Sequence, residues 1–202
     1  GVVDYEKGRL DDVTDYMWLT DDTISAGSWT TTGSWSYTEE LDIKSAKVLL
    51  HTLIDIVSKN GNLLLNISPT AAGVIPNKQR ESLLGMGTWL RANGEAIYGT
   101  RPFRVYGEGP KRLTSSGHFV EMSGDYTSEN IRFTQKGDTV FAIQLGWPGS
   151  GRRVQIKNLG RASLAGRMIT GVSVVDSPES IQWELEDDAL LITAPSVAPN
   201  NF

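Results

Sequence analysis

Cysteine is absent from the 202 residues. Disulfides, a thiol nucleophile and thiolate-held metal are therefore excluded. Histidine is scarce, with His51 and His118 the two present. A two-histidine metal site would need both, and nothing in the sequence brings them together. His51 lies on a periodic helix face and His118 in a Gly/Ser-rich loop. A serine–histidine–acid triad meets the same shortage, and no Gly-x-Ser-x-Gly elbow occurs. Basic charge is also short: 19 Lys and Arg stand against 24 Asp and Glu, for a net charge of −5. No basic stretch offers the electrostatic footprint of a nucleic-acid partner. No apolar run approaches the roughly 20 residues that span a bilayer, so no membrane partner is expected. Gly1 to Arg9 carries neither an initiator Met nor a signal-peptide pattern. The expectation is that a leader has been removed or that the chain starts inside a longer one.

Hydrophobic residues make up 39% and charged residues 21%. That composition buries a real core in one domain or two small ones. Two regimes follow one another. Ile43 to Lys59 has helical spacing, with Val48, Leu49, Thr52, Leu53, Ile56 and Val57 as its apolar stripe. Asp42 reads as its N-cap and Asn60-Gly61 as its stop. Asn62 to Ile67 is a short, continuous apolar run, expected as a strand buried on both faces. A second helix is expected from Asn77 to Ala92, with Pro76 suiting its first turn and Asn93-Gly94 ending it. Helix, buried strand, helix is the order of a parallel α/β fold.

From about residue 110 the pattern changes to short strands with turn signals. Ile131–Gln135 and Val140–Leu145 flank Lys136-Gly137-Asp138-Thr139 as a hairpin. Arg152–Lys157 alternates, and Ile169–Val175 does so more loosely. Ile181–Leu185 and Ala189–Thr193 flank a second turn at Glu186-Asp187-Asp188. Strands at this spacing suggest an antiparallel sandwich. The Gly/Ser-rich segment 107–124 reads as a linker with irregular structure.

Three sequence blocks narrow the reading. Lys59-Asn60-Gly61-Asn62-Leu63-Leu64-Leu65-Asn66-Ile67-Ser68-Pro69 is followed, after Gly73-x-Ile75-Pro76, by Asn93-Gly94-Glu95-Ala96-Ile97-Tyr98-Gly99-Thr100-Arg101-Pro102. Upstream stands Val3-Asp4-Tyr5-Glu6-Lys7-Gly8. In order and spacing these blocks resemble the α-L-fucosidases of glycoside hydrolase family twenty-nine. Trp18 to Ile24, Ser34-Trp35-Ser36-Tyr37, Ile131 to Thr134 and Leu145 to Pro148 extend the resemblance over nearly the whole chain. Linked blocks are more specific than any single short motif.

The resemblance implies the C-terminal part of a (β/α)8-like barrel in residues 1–106, then an antiparallel β-sandwich in 107–202 that lacks its last strand. A full barrel needs roughly 200 residues or more. The early strands, with the family's nucleophilic aspartate, would therefore lie outside the chain. The implied reaction is hydrolysis of terminal α-linked L-fucose from glycans with retention, without metal or organic cofactor. Retaining glycosidases set two carboxyl groups about 5–5.5 Å apart. Glu6 is the candidate acid/base. It follows the apolar strand Gly1-Val2-Val3, and catalytic residues of barrels sit at strand C-terminal ends. Some family members carry this glutamate in a Trp-Glu pair; here that pair reads Trp18-Leu19. Asp21 is the runner-up, with Asp4 also near. The structural alternative for Glu6 is a salt bridge to Lys7 or Arg9.

Trp18 and Trp35 are the candidates to stack on the sugar. Trp29 could shape the acceptor side. Trp89, Trp147 and Trp183 read as packing residues. Asn66 reads as a buried amide tying a loop, and Glu95 as half of an ion pair with Arg101. Asp11, Asp12 and Asp15 lack calcium-loop spacing and read as a solvated face. Two readings compete with the enzyme. One is a non-catalytic carbohydrate-binding module. The other is a partner-dependent half that needs a chain or segment supplying the remaining barrel strands, because half a barrel exposes sheet edges and apolar faces. An enzyme meeting extracellular glycans is expected to be secreted or periplasmic.

Overall fold

The computed structural model describes residues 1–27, 33–120, 125–200 and 202. Trp29 lies outside the described residues. Three parallel strands come first: β1 (Val3–Asp4), β2 (Trp18–Thr23) and β3 (Gly61–Asn66), in the order β1-β2-β3. Helix α1 (Ala46–Ser58) crosses from β2 to β3, and α2 (Asn77–Asn93) follows β3. Parallel neighbours need such a crossover, because a tight turn cannot reverse the chain twice.

Helix α1 starts later than its apolar spacing suggests. Ile43 forms a bridge to Ser25, and the Lys44 N–H donates to the Ile24 carbonyl, so this stretch is held extended against the end of β2. The cap is therefore Ser45, whose side chain accepts from the Val48 N–H, and not Asp42. Its buried residues include Leu49, Leu50, His51, Ile54, Asp55 and Ile56, while Val48 is exposed. The buried face is wider than the expected stripe because α1 is covered on several sides, by β3, α2 and the later strands Arg101–Glu108 and Ile131–Lys136. The helix ends with Asn60 at a positive φ of 72°. Gly61 then lets the chain pass close over Trp18: a Cβ there would meet the indole at 2.6 Å.

Strand β3 is not buried on both faces. Gly61 is buried, Asn62 is exposed and Leu64 is 57% exposed. Opposed residues in the register share a face of the sheet. One face carries Trp18, Gly61 and Leu63, packed with Leu10 and Ile56 toward α1. The other carries Asp4, Leu19, Asn62, Asp21 and Leu64, and no described helix covers Leu64.

The second half is antiparallel. β4 (Arg101–Glu108), β5 (Ile131–Lys136) and β6 (Thr139–Gln144) form one sheet in that order. β7 (Arg153–Ile156), β8 (Trp183–Leu185) and β9 (Leu190–Thr193) form another, ordered β7-β9-β8. Both expected hairpins are present, with Gly137 at φ 58° in the first turn. A short helix, α3 (Arg161–Leu164), follows β7. Phe103, Ile131 and Phe133 from one sheet share a core with Val154, Ile156 and Leu190 from the other. Two expectations are corrected. The stretch 169–175 forms no strand, since its alternation is loose and no partner strand is presented to it. The change of regime expected at 106 falls inside β4, which pairs with β5 from Arg101 onward. Pairing with a strand 30 residues later is a long-range contact that local composition does not announce.

The two halves meet around Asp55. Its carboxylate accepts from Lys59 Nζ at 2.7 Å and from Arg132 Nε at 2.6 Å. All three side chains are buried, and Arg132 comes from β5. Burial opposes ionisation of Asp55, but the Lys59 and Arg132 cations outweigh it and hold its carboxyl below the usual range. Tyr106 and Tyr126 turn their ring faces to the excess positive charge, with Lys59 Nζ 4.5 Å and the Arg132 guanidinium 5.0 Å from the respective centroids.

Candidate functional site at the strand C-terminal ends

The parallel ladder continues past β1. The Tyr5 N–H donates to the Leu19 carbonyl (3.0 Å) and the Lys7 N–H to the Asp21 carbonyl (2.8 Å). Glu6 is thereby set level with Asp21 on the neighbouring strand. The chain turns there, with the Gly8 N–H donating to the Tyr5 carbonyl and Lys7 at φ 45°. Gly8 is confined: a Cβ would meet Tyr5 Cβ at 2.4 Å and the Gly117 carbonyl oxygen at 2.5 Å. The two sequence candidates for a proton-transfer group are thus brought to one place. Asp4 lies one row lower, opposite Leu19. Asp21 Oδ1 is buried and has no hydrogen-bond partner among the described residues. An unpartnered buried carboxylate oxygen costs stability and marks a place where a further group is expected.

On the opposite face of the sheet, one residue further along β2, the strand is pinned by charge. Asp22 is fully buried and accepts from Arg9 Nη2 (3.0 Å) and Lys44 Nζ (2.9 Å). Burial opposes its ionisation, yet Lys44 and Arg9 prevail and keep its carboxyl below the ordinary range. Arg9 is committed to Asp22 and does not serve as the salt-bridge partner considered for Glu6.

A loop folds over the ends of β2 and β3. Thr23 Oγ1 and Ser25 Oγ donate to the Ser34 carbonyl, at 3.1 and 2.8 Å. Asn66 Nδ2 (2.8 Å) and Ser68 Oγ (3.1 Å) donate to the Trp35 carbonyl. Asn66 therefore ties a loop, as its position at the end of a strand suggested. Gln79, buried on α2, exchanges two 2.9 Å bonds with the Ser68 backbone and fixes the loop's root. Trp35 is half-buried at this end of the sheet.

Trp18 is a correction. It opens β2, at the opposite end of the strand from Thr23, and its side chain is fully buried. Its indole N–H donates to the Lys59 carbonyl at 3.0 Å, and its ring packs edge-on to Tyr5. It is a core residue on the α1 side of the sheet, and no sugar can reach it. The strand's polarity decided this, and a Trp flanked by Met17 and Leu19 does not reveal which end of a strand it occupies. Glu95 is exposed, and Arg101 turns its guanidinium to the Thr100 carbonyl in place of the expected ion pair. Asp11 bonds Ser116, and Asp12 caps the Val13 N–H. No group of three or more His, Asp or Glu side chains is placed to hold a metal ion among the described residues.

Sequence reasoning missed His118. Its Nδ1 accepts from the Glu6 N–H at 3.0 Å, and the Phe119 N–H donates to the Glu6 carbonyl at 2.9 Å. A contact across 112 positions leaves no local signal. A cavity of about 1110 Å³ lies elsewhere. Its walls include Phe103, Val154, Ile156 and Leu190, the core residues of the antiparallel half, so we read it as interior and not as the site.

Parallel strands with carboxyl groups at their C-terminal ends, followed by paired antiparallel sheets, define a modular α/β plus β architecture. The comparisons with known proteins agree with it. A family model described as alpha-L-fucosidase matches residues 2–95, and one described as alpha-L-fucosidase C-terminal domain matches residues 124–202. The chain belongs to the α-L-fucosidase family. Human tissue alpha-L-fucosidase is 33% identical over 171 residues, covering 83% of this chain and 32% of its own. Rat plasma alpha-L-fucosidase is 37% identical over 124 residues, covering 59% of this chain and 23% of its own. Among solved structures, Thermotoga maritima alpha-fucosidase in complex with fucose is similar with a TM-score of 0.67 at 31% identity, covering 92% of this chain and 37% of that one. Alpha-L-fucosidase isoenzyme 1 from Paenibacillus thiaminolyticus shares the fold, with a TM-score of 0.70 at 24% identity. The chain spans about a third of the length of the curated relatives it matches.

Proposed function

We propose that these residues contribute the acid/base side of an α-L-fucosidase active site that removes terminal α-L-fucose from glycans with retention. In this reading residues 1 to about 100 are the C-terminal strands and helices of a (β/α)8-like barrel, and the remainder is a β-sandwich. Glu6 donates a proton to the glycosidic oxygen as the bond to the anomeric carbon breaks. It then takes a proton from water as the covalent fucosyl intermediate is hydrolysed. The attacking carboxylate comes from a barrel strand outside these 202 residues. Such strands would cover the open sheet face that carries Leu64 and complete the surroundings of Asp21 Oδ1. Trp35, at the mouth, is the aromatic surface offered to the sugar.

The observation that carries the reading is the placement of Glu6 level with Asp21 at the C-terminal ends of parallel strands, in a chain of the α-L-fucosidase family. Barrel enzymes assemble their chemistry at that end. Asp21 is the second choice, since its side chain is more enclosed. The test is hydrolysis of phenyl α-L-fucoside by the protein that carries these residues, with Glu6→Gln and Asp21→Asn variants. Loss of an acid/base typically costs about 10²–10⁴-fold. Full activity in Glu6→Gln with loss in Asp21→Asn transfers the role to Asp21. No fucose release by the intact protein favours the non-catalytic carbohydrate-binding reading.

A further inference from the structure

Residues 115–119, from the irregular stretch after β4, lie along the turn that carries Glu6. Gly117 forms an antiparallel bridge with Arg9, its N–H donating at 2.9 Å and its carbonyl accepting at 3.1 Å. The Ser116 hydroxyl joins Asp11. Above this bridge, both backbone groups of Glu6 are taken by two consecutive residues. Its N–H goes to His118 Nδ1 and its carbonyl to the Phe119 N–H. The His118 ring also lies 5.5 Å from the Tyr5 ring. Phe119 holds a positive φ of 55° although it is bulky and 62% exposed. That conformation is unfavourable for such a residue, and strain of this kind persists where surrounding contacts over-determine it. Here the contact it serves is the bond to Glu6.

From this arrangement we infer that His118 is a positioning residue for Glu6, and that residues 115–119, from the antiparallel half of the chain, clamp the backbone that carries the proton-transfer carboxyl. The inference rests on the reading of Glu6 as acid/base. The clamp needs a neutral imidazole. Nδ1 accepts, so the ring proton sits on Nε2. The charged and titratable groups around it are Tyr5 and Glu6 in the turn, then Arg9 opposite Gly117 and Asp11 bonded to Ser116. Tyr5 is in turn bonded to the Tyr16 hydroxyl.

The test uses the protein that carries these residues. Long-range ¹H–¹⁵N spectra read the tautomer directly, and the signal lost in His118→Ala assigns it. The Nε2–H form is expected for His118; the Nδ1–H form overturns the clamp. His118→Ala should lower kcat on phenyl α-L-fucoside about tenfold with KM unchanged. The loss should be much smaller with 2,4-dinitrophenyl α-L-fucoside, whose leaving group needs little protonation. His118→Asn, with an amide oxygen near the Nδ1 position, should restore kcat. Equal losses on both substrates, no loss in His118→Ala, or no rescue in a normally melting His118→Asn protein each refute the positioning role. Unimpaired Glu6→Gln refutes the acid/base reading and the clamp's catalytic consequence with it, while the tautomer spectrum still reports on the clamp itself.

Discussion

Replacing Asp55 with alanine removes the one anion between two buried cations. In the native chain the group carries a net charge of +1, with Lys59 and Arg132 each under 2% exposed. Unit charges about 4 Å apart at an effective dielectric of about 20 attract by about 4 kcal/mol, and burial offsets much of that. Breaking a buried pair by removing one partner costs about 3–5 kcal/mol, because the other charge is left uncompensated. Asp55→Ala leaves two such charges side by side and should reach the upper part of that range. For a chain of this length, about 3–5 kcal/mol corresponds to a fall in Tm of about 6–20 °C. Lys59→Met, by contrast, leaves the neutral Asp55–Arg132 pair and should cost under about 2 kcal/mol. Burial already disfavours the Lys59 ammonium, and Asp55 is the charge that opposes it. The pH dependence has a defined sign. A carboxyl held low in the folded state contributes stability above the unfolded value near 3.9, and that contribution is lost as pH falls through the lower folded value. Urea denaturation of the three proteins at pH 7 is the assay. Equal losses for Asp55→Ala and Lys59→Met, or a loss under about 1 kcal/mol for Asp55→Ala, would refute the account of Asp55 as the group that neutralises the junction between the halves.

Two further outcomes follow from buried side chains. Trp18→Ala should cost about 3–5 kcal/mol of stability by leaving a cavity beneath Gly61; a raised KM with unchanged denaturation midpoint would restore Trp18 as a sugar contact. His51, 8% exposed and edge-on to Tyr126, has its pKa lowered to about 4, by burial first and Lys47 next. The unfolded chain then binds the proton first, so stability is full above about 6.5 and falls as pH drops toward 4. The loss should be about 2 kcal/mol at pH 5 relative to pH 7.5, and His51→Leu should remove that slope in paired denaturation curves.

The local grammar of the chain was legible from its residues. The apolar spacing of 48–57, the Asn60-Gly61 stop, the run at 62–67 and the Gly137 turn fixed where α1, β3 and the β5–β6 hairpin lie, since each follows from contacts within a few positions. The two fucosidase-like blocks named the family because they hold together over many consecutive residues. Tertiary structure decided what spacing cannot encode. Strand polarity put Trp18 at the wrong end for a sugar, and long-range pairing drew Arg101–Glu108 into the antiparallel sheet. The pleat set Asp21 and Leu64 on one face and Trp18 on the other. Asp55, which the apolar spacing of its helix does not single out, is the anion of a buried junction because β5 delivers Arg132 to it from 77 residues away. His118, read as a loop residue, came to rest on Glu6 because chain reversal, and no local preference, sets which distant backbone groups meet.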